Sequence, residues 1–221
     1  MKRYLHLKIL SLLIILFSAL HAVAQPFVND IAAFKKQDSI SAPPKNAILF
    51  VGSSSFTKWK DVQNYFPGYT IINRGFGGST LPDVIRYEKD VIFPYQPKQV
   101  VIYCGENDVA SSDTITPEIV LGRVKQLITD IRKQFPKVPI AFISLKPAPS
   151  RWAKKDRMMA SNALIKKYLK KKKHTAFINV WDAMLDAEGK PMADIFIEDR
   201  LHMNAKGYAI WQKIIEPYLV K

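Results

Sequence analysis

Four short blocks of the sequence hold residues able to do chemistry together: Gly52-Ser53-Ser54-Ser55, Asn73-Arg74-Gly75-Phe76-Gly77-Gly78, Gly105-Glu106-Asn107-Asp108 and Asp199-Arg200-Leu201-His202. Taken singly, each is ordinary: a Gly-Ser run makes turns, glycines after a strand make tight bends, and Asn-Asp pairs cap helices. Together they meet the requirements of acyl transfer, which needs a hydroxyl nucleophile, a base for its proton, a group that orients the base, and donors aimed at the developing oxyanion. Ser54 is the candidate nucleophile, with Ser55 one residue late for the same role. Asp199 and His202 are three residues apart, so one short segment can bring the carboxylate to the imidazole. Gly78 offers an unhindered backbone N–H, and Asn107 a side-chain amide.

These residues need a scaffold, and the intervening sequence describes one. Ala47–Gly52 is a continuous apolar run ending in glycine, as expected of a strand covered on both faces. Thr70–Asn73, Gln99–Cys104, Pro139–Ser144 and Ala176–Val180 are similar. Helical patterns fall between them: Pro117–Phe135, with Thr116 as N-cap and Pro117 at the first helical position, then Asp156–Lys172, and finally Ala205–Leu219. Trp211 falls on the apolar face of the last helix with Tyr208 and Ile215, and reads as core. Five strands joined by helical crossovers predict a mostly parallel sheet covered on both faces. Ligand sites in such folds lie beyond the C-terminal strand ends, where the first three blocks fall.

The four blocks, in this order, resemble the SGNH hydrolases, also called GDSL-like hydrolases. Val51-Gly52-Ser53-Ser54 resembles the first block and places the nucleophile at Ser54. Asn73-x-Gly75-x-x-Gly78 and Gly105-x-Asn107 resemble the second and third, placing oxyanion donors at Gly78 and Asn107. Asp199-x-x-His202 resembles the last and supplies the rest of the triad. The resemblance runs from about Ala47 to the C-terminus. It implies a flavodoxin-like three-layer α/β/α sandwich with a five-stranded, mostly parallel sheet. It also implies a serine esterase working through an acyl-enzyme, with the Ser54 and Gly78 N–H groups and the Asn107 amide holding the oxyanion. There is one departure: the first block usually reads Gly-Asp-Ser, and Ser53 replaces the aspartate. That aspartate is not the triad carboxylate, so the expected mechanism survives, and Ser53 is free to cap the next helix or bond a neighbouring loop.

Four more residues are candidates for binding substrate. Arg151 and Trp152 follow the fourth strand and could hold an anionic or sugar-like group; the alternative is a proline-stiffened loop with Trp152 packed on the domain. Arg74, within the glycine loop, could contact substrate or support the loop. Glu106 is a candidate by position alone. No His/Cys cluster has metal-ligand spacing, and no dinucleotide fingerprint or phosphate loop occurs, so neither metal nor cofactor is expected.

The rest of the chain sets the context. Residues 1–24 read as a signal peptide: Lys2, Arg3 and Lys8 precede an apolar stretch, and Ala22-Val23-Ala24 offers a small-x-small cleavage pattern. The stretch is shorter than the ~20 residues a spanning helix needs. The expectation is an exported protein, periplasmic or secreted, with no stable membrane insertion after cleavage. Residues 25–45 read as a lead-in segment with a short amphipathic stretch, Ile31–Phe34, and 46–221 as one hydrolase domain. Cys104 is the only cysteine, so no intrachain disulfide is possible, and its apolar surroundings mark it as a small buried hydrophobe. The formal charge is +14, falling to +11 without the signal segment. This favours anionic partners. No nucleic-acid reading motif accompanies the charge, and the Lys166–Lys173 run reads as a solvated helix end. The expected partner is a small ester or an acylated glycan, acetyl esters on carbohydrate foremost. The rivals are a lysophospholipase or thioesterase acting on lipid, and a non-catalytic glycan-binding protein on the same fold. Oligomeric state is not legible.

Overall fold

A computed structural model describes residues 25–221; the signal-peptide reading of 1–24 lies outside the described residues. Five strands form one sheet, β1 (Ile48–Gly52), β2 (Ile71–Gly75), β3 (Gln99–Tyr103), β4 (Ile140–Ile143) and β5 (Thr175–Ile178), in the order β2-β1-β3-β4-β5. Every pairing is parallel. The strand positions follow the apolar runs, with no end shifted by more than two residues. β1 and β3 are buried at every position, because parallel strands with helices on both faces have no solvent side.

Successive side chains point to opposite faces, so each strand feeds two cores. Leu49, Val51, Val100, Ile102, Ile140 and Phe142 pack on one face, while Ile48, Phe50, Val101, Tyr103, Ala141 and Ile143 pack on the other. The first face is covered by α1 (Val28–Ile40), α4 (Leu81–Arg86), α5 (Glu88–Val91), α7 (Pro117–Gln134) and α8 (Lys155–Leu169). α7 is capped by the Thr116 hydroxyl, which accepts from Ile119 N–H, and buries Val120, Val124, Leu127, Ile128 and Ile131 along one stripe. The second face is covered by α2 (Ser54–Thr57), α3 (Val62–Tyr65) and α9 (Ala205–Ile215), with Trp211 fully buried between α9 and the sheet. α6 (Glu106–Ser111) follows β3.

The lead-in segment is more structured than its sequence suggests. Instead of a short amphipathic stretch it forms the 13-residue α1, which buries Ile31 alone. Its attachment is polar: Asp38 pairs with the buried Arg74 guanidinium and accepts a hydrogen bond from Tyr95 Oη at 2.6 Å. Just before α1, Phe27 packs edge-on against Phe76, with ring centroids 5.2 Å apart, and Pro26 accepts from Tyr87 Oη.

Candidate active site

The chain passes from β1 to β2 on one side and then crosses back to β3 on the other side of β1, so a crevice opens at the C-terminal ends of β1 and β3. Gly52 closes β1 with φ +144°, and a Cβ there would lie 1.9 Å from the Tyr103 carbonyl oxygen. Only glycine lets the two backbones approach this closely. The chain is then pinned by Ser53 N–H donating to Tyr103 C=O at 3.0 Å. Ser54 follows as the first residue of α2. Phe56 and Thr57 N–H return to Ser53 C=O, while Ser54 N–H has no partner among the described residues. Four residues make too short a helix for a substantial macrodipole, so what this turn offers an anion is a free N–H rather than a helix dipole.

Gly78, at φ +87°, presents a second N–H without a partner among the described residues. Asn107 sits in the first turn of α6, and its Nδ2 donates to Ser53 Oγ at 2.9 Å and to Ser79 C=O at 3.0 Å. The Ser53 hydroxyl therefore bonds the neighbouring loop; it does not cap α2. Both amide hydrogens of Asn107 are occupied, one of them on a neutral hydroxyl.

Asp199 and His202 belong to a tight loop before α9, tied across its base by Ile197 N–H to His202 C=O at 2.9 Å and Asn204 N–H to Ile195 C=O at 3.0 Å. Asn204 caps α9, accepting from Lys206 and Gly207 N–H. Tyr208 Oη donates to Ser55 C=O at 2.9 Å, which anchors α9, and the loop ahead of it, to the turn that carries Ser54. Within the loop, Asp199 Oδ1 accepts from Leu201 and His202 N–H, each at 2.9 Å, and Oδ2 lies 2.5 Å from His202 Nδ1. Burial pushes this carboxylate's pKa up, but the bonds from His202 and Leu201 outweigh it and hold the value at about 2. The other ring nitrogen, His202 Nε2, is buried and unpartnered among the described residues.

Ser54, Gly78, Asn107 and His202 all line one cavity of about 310 Å³. Thr57 and Lys58 form one wall, and Arg151 and Leu201 flank His202 on the other. Arg151 lies on a 3₁₀ turn, Pro149–Lys154, that is held to the loop carrying Asp199 and His202 by Ser150 N–H donating to Arg200 C=O at 3.0 Å.

Three of the sequence's substrate candidates are directed elsewhere. Arg74 is buried, and its guanidinium meets Asp38, Tyr95 Oη and Asn73 C=O, so it fastens α1 to the sheet. Glu106 is buried, accepting from Lys146 Nζ at 2.7 Å and Tyr103 Oη at 2.5 Å. It neutralises a lysine left 1% exposed by the fold. Trp152 stacks on Trp181 at 6.2 Å, with Lys155 over its ring at 5.0 Å, and does not line the cavity. Arg151 alone of the four reaches it. The sequence reading missed Lys146 and Asp38, whose partners are 40 and 36 residues away. A lysine closing a largely apolar run, as Lys146 does just beyond the fourth strand, was the one available signal. Cys104 is buried, and burial raises its thiol pKa well above the usual range. Among the described residues no group of His, Cys, Asp or Glu could hold a metal ion, and no helix is long and apolar enough to cross a membrane.

A model of the GDSL-like lipase/acylhydrolase family matches residues 38–210. The chain belongs to this family. Its fold recurs in solved structures. A GDSL-like lipase from Bacteroides thetaiotaomicron superposes with TM-score 0.72 at 23% identity, covering 85% of this chain and 96% of that one. A Streptococcus pneumonia protein named for platelet activating factor gives TM-score 0.76 at 20% identity, covering 87% and 92%. A variant of an acetyl xylan esterase from Geobacillus stearothermophilus gives 0.63 at 14% identity, covering 80% and 98%. At these identities the likeness is one of fold. No curated protein matches the chain.

Proposed function

We propose that the protein is an exported serine esterase that removes short acyl groups, acetyl foremost, from carbohydrate. The observation that carries the reading is the hydrogen-bonded Asp199–His202 pair, whose free Nε2 lies at the cavity that Ser54 lines. Asp199 fixes the imidazole with its proton on Nδ1, so Nε2 is the base. Ser54 Oγ attacks the ester carbonyl carbon as His202 Nε2 takes its proton. The carbonyl oxygen becomes an oxyanion, received by the Ser54 and Gly78 N–H groups. Asn107 adds a third donor by turning the hydrogen now on Ser53 Oγ to the oxyanion; the exchange is downhill, because a bond to an anion is roughly twice as strong as one to a neutral acceptor. The C–O bond to the alcohol then breaks, and the alcohol leaves with the proton from His202. Water attacks the acyl-enzyme by the same route, releasing the acid and restoring Ser54.

Two observations support a short acyl group. The cavity lies at the small end of the ~300–1,000 Å³ usual for ligand sites, and among the described residues Leu201 is the only long aliphatic side chain lining it. A lysophospholipid chain would find little to pack against. The names of fold neighbours include acetyl xylan esterase and acetyl esterase, a sugar acetate and a short ester. Export rests on residues 1–24 alone, and we place Gln25 at the mature N-terminus, with 25–45 as the lead-in to a hydrolase domain from 46 onward. N-terminal sequencing of protein recovered outside the cytoplasm tests this; a retained Met1 refutes it.

The test of the function is hydrolysis of p-nitrophenyl esters from acetyl to octanoyl by the mature protein and by Ser54→Ala. Turnover is expected for the short esters, with loss of at least about 10³-fold in the variant. Equal rates in both proteins would mean the nucleophile is another residue. A folded wild type inactive on every chain length would favour a non-catalytic glycan-binding role.

A further inference from the structure

Arg151 is a cavity residue that neither the fold nor the acyl-transfer steps employ; the Thr57 hydroxyl in the same cavity is also buried and unpartnered among the described residues, but it carries no charge. Its Nε is buried and without a partner, and no ion pair or side-chain hydrogen bond holds its guanidinium among the described residues. Arg151 as a whole is half-buried; the cationic side chains buried outright among the described residues are partnered, Arg74 by Asp38 and Lys146 by Glu106. A guanidinium carries five donors and loses water when buried, so an unmet Nε–H is a standing demand for an acceptor. Lys58 lines the same cavity, and among the described residues no Asp or Glu does. The Asp199 carboxylate, on the loop beside it, is already committed to His202 and to two backbone N–H groups. The cavity is therefore cationic at the place where the ester must lie. Arg151 is also held in register with the triad loop through Ser150 N–H and Arg200 C=O.

We propose that Arg151 is an anion-recognition residue and that the substrate is an acylated acidic carbohydrate, with a carboxylate or phosphate on the sugar that bears the ester. The proposal rests on the esterase reading above and narrows its substrate class. The anion accepts from the guanidinium through one or both of its faces, which orients the sugar so that its ester carbonyl meets Ser54. The formal charge of +11 on the chain without residues 1–24 draws such a substrate toward the protein but cannot orient it. Orientation needs a fixed donor in the cavity, and Arg151 is placed to be one.

The test compares acetate release from three sugars: methyl 3-O-acetylgalactoside, its 6-phosphate, and methyl 3-O-acetylgalacturonoside. Lysophosphatidylcholine and p-nitrophenyl acetate are the two reference esters. The quantity read is the ratio of kcat/KM for each acidic sugar to that for the neutral one. Wild type is expected to favour one or both acidic sugars at least about tenfold, and the preferred one tells carboxylate from phosphate. Arg151→Gln should bring that ratio down by about ten- to a hundredfold, the loss expected for a charge-assisted hydrogen bond. Arg151→Lys should restore part of it, as a point charge without the fork. Lys171→Ala, which removes one charge from the exposed lysine run, should keep the wild-type ratio. Turnover of p-nitrophenyl acetate with a wild-type ratio near one would overturn the anion site while leaving the esterase reading intact. So would a ratio unchanged in Arg151→Gln, or a preference for lysophosphatidylcholine over every sugar. Inactivity of the folded protein on all five esters would overturn both.

Discussion

Asp199→Asn is the most discriminating single change, because the loop dictates how the amide must sit. Asp199 Oδ1 accepts two backbone N–H groups, Leu201 and His202, each at 2.9 Å. An asparagine must keep its one oxygen facing those donors, and its NH2 group then faces His202 Nδ1, now 2.5 Å from Oδ2. An N–H directed at Nδ1 makes that nitrogen an acceptor, which moves the ring's proton to Nε2. A protonated Nε2 cannot take the proton of Ser54, and the imidazolium formed during catalysis also loses its counter-charge. A loss of about 10⁴-fold in kcat, the size known for a wrong tautomer in a serine triad, corresponds to roughly 5.5 kcal/mol. Stability should barely change: both backbone bonds persist and the Asp199 side chain is 43% exposed, so the Tm should stay within about 3 °C of wild type. Steady-state hydrolysis of p-nitrophenyl acetate and a thermal melt, run on the same preparation, read both numbers. Activity within tenfold of wild type would refute the argument, because it would mean that Nε2 stays unprotonated without the carboxylate. A melt lowered by ten degrees or more would refute it differently, by showing that the residue's role is structural.

Lys146→Met should destabilise the protein by about 3–5 kcal/mol in urea unfolding, since it strands the buried Glu106 carboxylate; pairing it with Glu106→Gln should recover much of that loss. Asp38→Ala leaves the Arg74 guanidinium buried without its carboxylate and should lower the Tm by roughly 6–12 °C, with esterase activity at 25 °C retained because neither residue lines the cavity. The Asp199 carboxylate has its pKa lowered from 3.8 to about 2, so its contribution to stability is present above about pH 4 and is lost as the pH falls toward 2. The Tm gap between wild type and Asp199→Ala should therefore narrow over that window, leaving only what the two backbone bonds to Oδ1 contribute.

The five strands were legible because a parallel sheet covered on both faces leaves a signal that depends on no partner: every residue of β1 and β3 is buried, so each reads as an unbroken apolar run. α7 and α9 were legible because each pairs a side-chain cap with an apolar stripe. α1 was not, and the cause is physical. It buries one residue, Ile31, and is held by Asp38 reaching Arg74 and Tyr95, so it carries almost no periodic apolar signal. Helices held by polar contacts at one end are invisible to a method that reads periodicity.

The same distinction governs the site. Ser54, Gly78, Asn107, Asp199 and His202 stood out because the geometry each needs is local. Ser54 needs a turn after a close-packed glycine, Gly78 a positive φ, and Asp199 a partner three residues away. Arg74, Glu106, Arg151 and Trp152 lie beside such positions and looked alike in sequence, yet their roles are set by what meets them from other elements. Arg74 finds Asp38, Glu106 finds Lys146, and Trp152 finds Trp181, so each is spent on the fold. Arg151 finds no partner among the described residues. A charged group beside a catalytic motif is informative in proportion to what the fold leaves unpaired on it, and that can be read only from the packed chain. By this criterion Arg151 is the residue through which the cavity can tell one ester from another.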